Sequence, residues 1–90
     1  MNIYEKIIEA MEDRNINKRD LAKKTGINFN TLRGYIDSAN KIPLEKLSKI
    51  AKALGVSVAY LIGEVPFKNF DEETIRFLGY IYNKLNVSKN

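Results

Sequence analysis

The sequence of 90 residues predicts an all-α protein, on two observations. Apolar residues recur at the three- and four-residue spacing of helices, and no sustained alternation of apolar and polar residues indicates a strand. Glycines and prolines divide the chain into segments that are mostly of helical length, at Gly26, Gly34, Pro43, Gly55, Gly63, Pro66 and Gly79. We therefore expect a compact unit of five helices followed by one C-terminal helix.

The first helix is predicted over residues 2–14, where apolar side chains form a stripe. The stripe consists of Ile3, Ile7 and Met11, with Ile8 beside it. The second helix is short. Asn17 can cap its start, Asp20 stands three residues later as in a capping box, and Gly26 suits the left-handed residue after its end. Its buried side is expected to consist of Leu21, Ala22 and Thr25.

After a two-residue turn, Asn28 can cap a third helix. The side chains that it directs inward are expected to be Leu32, Tyr35 and Ile36. Pro43 fits the first turn of a fourth helix, which Gly55 ends. Its apolar face is expected to consist of Leu44, Leu47, Ile50, Ala51 and Leu54. Ser57 can cap a fifth, short helix, whose apolar side chains are expected to be Val58, Leu61 and Ile62.

The C-terminal part of the chain is predicted to be a separate element. Residues 63–66 have the composition of a linker, which divides a first domain over 1–63 from a tail over 64–90. A last helix is expected over 71–85, opening with three acidic residues that suit the positive end of its dipole. The tail holds five of the nine aromatic residues: Phe67, Phe70, Phe77, Tyr80 and Tyr82. This apolar surface either folds back over the bundle or forms a dimer interface, and we expect a dimer.

The composition excludes several classes of function. Cysteine and histidine are both absent, which removes disulfides, thiolate nucleophiles and the usual zinc sites. No paired acid and base and no phosphate loop is apparent, so we expect neither an enzyme nor a cofactor. No apolar run approaches the roughly 18 residues that cross a bilayer. Acidic residues interrupt the apolar pattern of the N-terminus, so we expect a cytoplasmic protein with no membrane partner.

The positive charge is concentrated in the first domain. The whole chain has a net charge of +4, and residues 1–63 carry all of it, with eleven basic against seven acidic residues. Five cations surround the second helix against one acid, Asp20. They are Arg14, Lys18, Arg19, Lys23 and Lys24. This distribution is typical of a surface that meets the phosphate backbone of DNA.

Two helices joined by a short turn with a glycine form the helix-turn-helix pattern, in which the second helix enters the major groove. On spacing alone, a purely structural helical hairpin would show the same pattern. The start of the third helix adds amides suited to adenine, a guanidinium suited to guanine, and a ring and hydroxyl suited to thymine methyl or phosphate. The candidate side chains are Asn28, Phe29, Asn30, Thr31 and Arg33.

Structural roles compete with these functional ones. Asn17 and Asn28 are needed as caps whether or not DNA is bound, and the lysines can form an ordinary solvated face. The ring of Phe29 either packs against the bundle or is exposed and contacts a binding partner. Gly34 in mid-helix costs about 1 kcal/mol relative to alanine, so we expect it to allow close approach of DNA or of another helix.

The order of residues from Asn17 through Ile62 resembles the Cro/C1-type helix-turn-helix family of phage and bacterial repressors. The likeness is strongest in Leu21-Ala22, Gly26-Ile27, Thr31-Leu32 and the segment 47–61, which includes IAKALGVSVAYL. The resemblance implies a lambda-repressor-like domain of five helices that binds operator DNA, usually as a homodimer on a palindrome.

The resemblance also implies roles for individual positions. Base-reading positions of the family match Asn28, Phe29, Asn30, Arg33 and Gly34, and phosphate contacts are expected from Lys18, Arg19, Lys23, Thr31, Asn40 and Lys41. Lys18 stands where the family commonly has a glutamine, and Ile36 replaces a frequent glutamate. Gly34 offers no side chain to a base, so specificity is expected to depend on Asn28, Asn30 and Arg33.

Two functions of different classes fit these observations. The first is a transcriptional regulator, expected to be a repressor, that binds double-stranded DNA as a homodimer. The second is a protein-interaction module such as an antitoxin-like subunit, which Phe29 and the apolar tail would serve. DNA binding is the one that we favour.

Overall fold

The computed structural model describes residues 1–66 together with residues 68, 76, 80, 81, 83 and 84. Residues 1–66 form five helices, and no strand is present in the described part of the chain, which confirms the all-α prediction. They are α1 (Ile3–Asp13), α2 (Lys18–Thr25), α3 (Phe29–Ser38), α4 (Leu44–Leu54) and α5 (Val58–Leu61). Most of the helix expected over 71–85 lies outside the described residues, as does its proposed dimer contact. The residues described within that range are helical.

Local hydrogen bonds fix the starts of the helices where the sequence predicts them. The side chain of Asn2 accepts the N–H of Glu5 at 2.9 Å, and the Asn2 N–H donates to the Glu5 carboxylate at 3.5 Å, which completes a capping box. Asn17 and Ser57 cap α2 and α5 through their side-chain oxygens. Pro43 stands at the N-cap of α4, one residue before the first turn in which it was expected.

The core forms where α2 packs against α3 and α4, and α1 packs against α3, α4 and α5. Its fully buried large side chains are Ile7, Leu21, Leu32, Ile50, Leu54 and Leu61. Burial of a leucine or isoleucine side chain contributes about 1.5 to 3 kcal/mol. The interior of this bundle therefore holds α2 and α3 in a fixed relation.

Three residues predicted to belong to apolar faces are exposed. Leu44 is 70% exposed, Ile62 is 53% exposed and Ile8 is 39% exposed. Leu44 lies on the same helical stripe as Leu47, but it is the first residue of α4, and its side chain remains largely open to solvent. Ile62 follows the last residue of a four-residue helix, where Tyr60 and Leu61 are the buried side chains.

Beyond α5, Lys68 contacts α1 and the start of α5. Its backbone oxygen accepts the N–H of Ser57 at 2.7 Å. Its ammonium group lies 3.0 Å from the Asp13 carboxylate and 3.4 Å from that of Glu9, both on α1. Hydrogen bonds to Asp13 and then to Glu9 raise the pKa of Lys68 above its ordinary value of 10.5.

Candidate nucleic-acid interface

The turn between α2 and α3 is held by Thr25 and Gly26. Gly26 adopts a left-handed backbone with φ of 72°, a region that residues with a Cβ rarely adopt. The buried hydroxyl of Thr25 donates to the carbonyl of Leu21 at 2.8 Å and accepts the N–H of Ile27 at 3.2 Å. These contacts fix the angle between the two helices, and with it the position of the start of α3.

Asn28 caps α3 with the oxygen of its side chain. That oxygen accepts the N–H of Asn30 at 2.9 Å and the N–H of Thr31 at 3.4 Å. A bidentate contact with adenine would require the same oxygen. The structural role therefore competes with the base contact expected of Asn28.

The outer face of α3 presents three of the predicted contact residues to solvent, namely Asn30, Thr31 and Arg33. The opposite face is buried and consists of Leu32, Tyr35 and Ile36, as predicted. An amide, a hydroxyl and a guanidinium are thus displayed along one exposed face of a packed helix. Such groups match the hydrogen-bonding edges of base pairs and the phosphate oxygens.

The ring of Phe29 lies near two guanidinium groups from different helices. The centre of the Arg19 guanidinium is 4.6 Å from the ring centroid, and that of Arg33 is 6.0 Å away. Phe29 is also half-buried and packs against the edge of the core. The ring therefore packs partly against the bundle, as one of its two expected roles requires, and its remaining surface lies near cations.

Lys18, a predicted phosphate contact, is paired with an acidic residue of α3. Its ammonium group donates a hydrogen bond to the carboxylate of Asp37. Both side chains are partly exposed, at 38% and 44%. A phosphate group would compete with Asp37 for this lysine.

The loop between α3 and α4 packs closely on Gly34. The backbone N–H of Asn40 donates to the carbonyl of Gly34 at 3.2 Å, and the hydroxyl of Tyr4 donates to the carbonyl of Asn40, also at 3.2 Å. Both Asn40 and Lys41 are exposed. The two predicted phosphate contacts thus lie on a loop that α1 and α3 hold in place.

The cations counted around α2 face more than one surface. Lys23 is exposed, as a phosphate contact requires. Arg14 is exposed too, and its guanidinium lies over the α-carbon of Gly55, at the turn between α4 and α5. Lys24 borders a surface depression with Lys49 and Lys52 of α4. Arg14 also borders a depression with Lys23 and Lys24, so it lies beside α2 as expected.

Comparison with known proteins identifies the family. Residues 6–66, more than half of the chain, match the model of the Cro/C1-type HTH DNA-binding domain. The chain belongs to that family. No curated protein and no solved structure matches the chain. In this Cro/C1-type domain, α2 and α3 are the helix-turn-helix, so the protein is a DNA-binding transcription regulator.

The family is one of DNA-binding regulators and not one of enzymes. Among the residues described in this Cro/C1-type domain and after it, no group of three or more acidic, cysteine or histidine side chains could hold a metal ion. No helix in the same part of the chain is long and apolar enough to cross a membrane.

The contacts that sequence reasoning missed at the helix-turn-helix involve neighbouring side chains. The spacing of Phe29 and Arg33, four residues apart on one helix, could have indicated their proximity. No sequence signal relates Arg19 to Phe29, or Lys18 to Asp37, because those contacts arise from the packing of α2 against α3.

Proposed function

We propose that the protein represses transcription by inserting α3 into the major groove of a specific DNA sequence. The observation that carries this proposal is the placement of the Arg19 and Arg33 guanidinium groups, from two helices, near the same Phe29 ring. This placement joins the starts of α2 and α3 into one exposed cationic surface. A major groove about 12 Å wide admits a helix, while cations beside it meet phosphates.

The proposed base readers are Asn30 and Arg33, which would pair with adenine and guanine respectively. Asn28, at the N-cap of α3, and Phe29, in its first turn, are also proposed to contact bases. The proposed phosphate contacts are Lys18, Arg19, Lys23, Thr31, Asn40 and Lys41. They would fix the position of the domain on DNA, and make its affinity fall steeply with salt.

The regulator is proposed to act in the cytoplasm as a homodimer, with residues 1–63 as the DNA-binding domain and residues 64–90 as the dimerisation element. Tyr80 and Ile81, in the tail, are 58% and 40% exposed, which supports an apolar contact there. A two-fold dimer would bind half-sites about 34 Å apart. Analytical ultracentrifugation of the full chain and of a chain ending at Lys68 tests this, because the shorter chain is expected to be a monomer.

Selection from a random library of double-stranded DNA at moderate salt tests the proposed function directly. We expect an enriched palindrome, bound with an affinity that falls steeply between about 50 and 200 mM salt. An unenriched library would contradict sequence-specific regulation.

A second candidate is a protein-interaction module such as an antitoxin-like subunit. The exposed Leu44 and Ile62 favour it, since apolar side chains open to solvent can contact a partner. A partner that co-purifies with the wild type but not with an Ile62→Glu variant would support this candidate. If the protein does not retard DNA in a gel at low salt, the protein-interaction module becomes the better candidate.

A further inference from the structure

Three lysines from two helices line one surface depression between α2 and α4. Lys24 belongs to the last turn of α2, and Lys49 and Lys52 belong to the second half of α4. All three residues are exposed. Thr25 and Ala53 complete the lining, and the hydroxyl of Thr25 is already hydrogen-bonded to the backbone. The depression therefore offers mainly ammonium groups to a ligand.

The positive charge of this depression is largely uncompensated. Lys49 pairs with Glu45 on its own helix at 3.7 Å. None of the ion pairs that the described residues form involves Lys24 or Lys52. Lys49 and Lys52 are neighbours on the surface of α4, where like charges destabilise a helix, and the packing of α2 adds a third cation. A bound anion would offset this repulsion.

The chemistry of the lining favours nucleic-acid phosphates over an acidic protein surface. The centre of a protein interface is enriched in aromatic and other large side chains, whereas the lining of this depression contains no aromatic residue. Lysine is a compact, hydrated point charge that contacts phosphate without a fixed geometry. Contacts of this kind bind DNA of any sequence. The ligand class is therefore the phosphate backbone of DNA.

The depression and the outer face of α3 lie on different sides of α2. This helix packs against both α3 and α4, whereas α3 and α4 do not pack against each other. The exposed side chains of Asn30 and Arg33 are thus separated from the three lysines by α2. We therefore expect a duplex that holds α3 in its major groove to leave the depression free.

We propose that the depression between α2 and α4 binds the phosphate backbone of a second DNA duplex, so that the protein joins two duplexes. The inference rests on the proposed function, because α3 holds the first duplex. It adds an activity to that function, since an operator is brought together with a distant DNA segment of any sequence. With three phosphates neutralised, the affinity for the second duplex falls about 40-fold between about 50 and 200 mM salt.

The test measures the capture of a second duplex by the full-length protein. The operator enriched by selection is immobilised, saturated with protein and washed, and a labelled duplex of unrelated sequence is added at low salt. We expect the wild type to capture the labelled duplex. The double variant Lys24→Gln/Lys52→Gln should capture it about tenfold or more weakly, with a salt dependence reduced by about two phosphate contacts. Its affinity for the operator should be unchanged.

A second double variant, Lys6→Gln/Lys68→Gln, is the matched control. It also removes two positive charges, but Lys6 lies on α1, Lys68 pairs with carboxylates of α1, and neither lines the depression. We expect this control to capture the second duplex as the wild type does. Thermal unfolding checks that both double variants are folded.

Capture that persists in folded Lys24→Gln/Lys52→Gln overturns the proposal, because a dimer would then join duplexes through its two α3 helices. An equal loss in the control overturns it too, since the effect would follow net charge alone. If no second duplex is captured and the variant binds a lengthened operator more weakly, the lysines contact flanking phosphates of the same DNA. In that case the proposal fails and the proposed function stands, whereas a protein that selects no operator refutes both.

Discussion

The side chain of Asn40 lies against the α-carbon of Gly34, such that a Cβ on Gly34 would stand 2.8 Å from the amide nitrogen of Asn40. The glycine therefore accommodates a side chain of the loop between α3 and α4. Gly34 was expected to allow close approach of DNA or of another helix, and the group that approaches it in the structure is instead the side chain of Asn40. The absence of a base-reading side chain at this position thus has a structural cause.

Gly34→Ala is expected to gain less stability in the wild type than in an Asn40→Ala background. Alanine in a helix is favoured over glycine by about 1 kcal/mol, but in the wild type Asn40 must move aside. With Asn40 shortened, the full gain should appear in urea unfolding. Equal gains in both backgrounds would show that the contact costs nothing.

Asp37→Asn is expected to raise the affinity for non-specific DNA about twofold to fivefold, since it releases Lys18 and removes a negative charge beside α3. Asp13→Asn is the matched control. It removes the same charge from α1, where Asp13 forms an ion pair with Lys68. Fluorescence anisotropy at low salt measures both. Similar effects of the two variants would argue against a phosphate contact by Lys18.

Thr25→Val is expected to destabilise the domain by about 1 to 3 kcal/mol, because valine leaves the N–H of Ile27 without its acceptor. Thr25→Ser retains both hydrogen bonds and loses one methyl group, at about 0.8 kcal/mol. Thermal unfolding should rank wild type above serine and serine above valine. Valine at or above serine would contradict the role assigned to this hydroxyl.

The ion pairs of Lys68 should contribute to the stability of the folded protein only at pH values below the pKa of Lys68. The folded state holds the proton more tightly than the unfolded chain, because Asp13 and Glu9 raise the pKa of Lys68. Its contribution is fully present below pH 10.5 and is lost as the pH rises through the raised pKa. The difference in unfolding free energy between wild type and Lys68→Met should therefore shrink above that pH, and a constant difference would refute the linkage.

Helix boundaries could be predicted from the sequence because a cap is a local contact. Asn17, Asn28 and Ser57 each accept an N–H group two or three residues further along the chain. Gly26 and Gly55 take the left-handed backbone that ends a helix, with φ of 72° and 68°. Each signal lies within one turn of the boundary that it sets.

Depth of burial and partners in space could not be predicted in the same way. Helical periodicity assigns Leu44 to the apolar side of α4, but it does not tell how far the neighbouring helices extend, and the side chain is largely exposed. The pairing of Lys18 with Asp37 joins residues 19 positions apart, and Arg14 lies over Gly55 after three further helices. Such contacts depend on the packed arrangement.

At the candidate interface, the sequence indicated the residue types and the structure gives their arrangement. Asn30 and Arg33 are exposed, as base readers must be. The oxygen of Asn28 is engaged in capping, and the ring of Phe29 has two guanidinium groups near it. The predicted side chains therefore differ in how accessible they are to bases, and Asn30 and Arg33 are the most accessible.

The affinity of Arg33→Ala for the selected operator tests the central claim most directly, with Lys52→Ala as the control that removes an exposed cation from α4. We expect Arg33→Ala to bind the operator about tenfold or more weakly and to lose preference at one base pair of each half-site, since a bidentate contact contributes about 1 to 3 kcal/mol of discrimination. Lys52→Ala should retain the preference. If Arg33→Ala binds with the same preference and affinity as Lys52→Ala, the start of α3 does not read DNA.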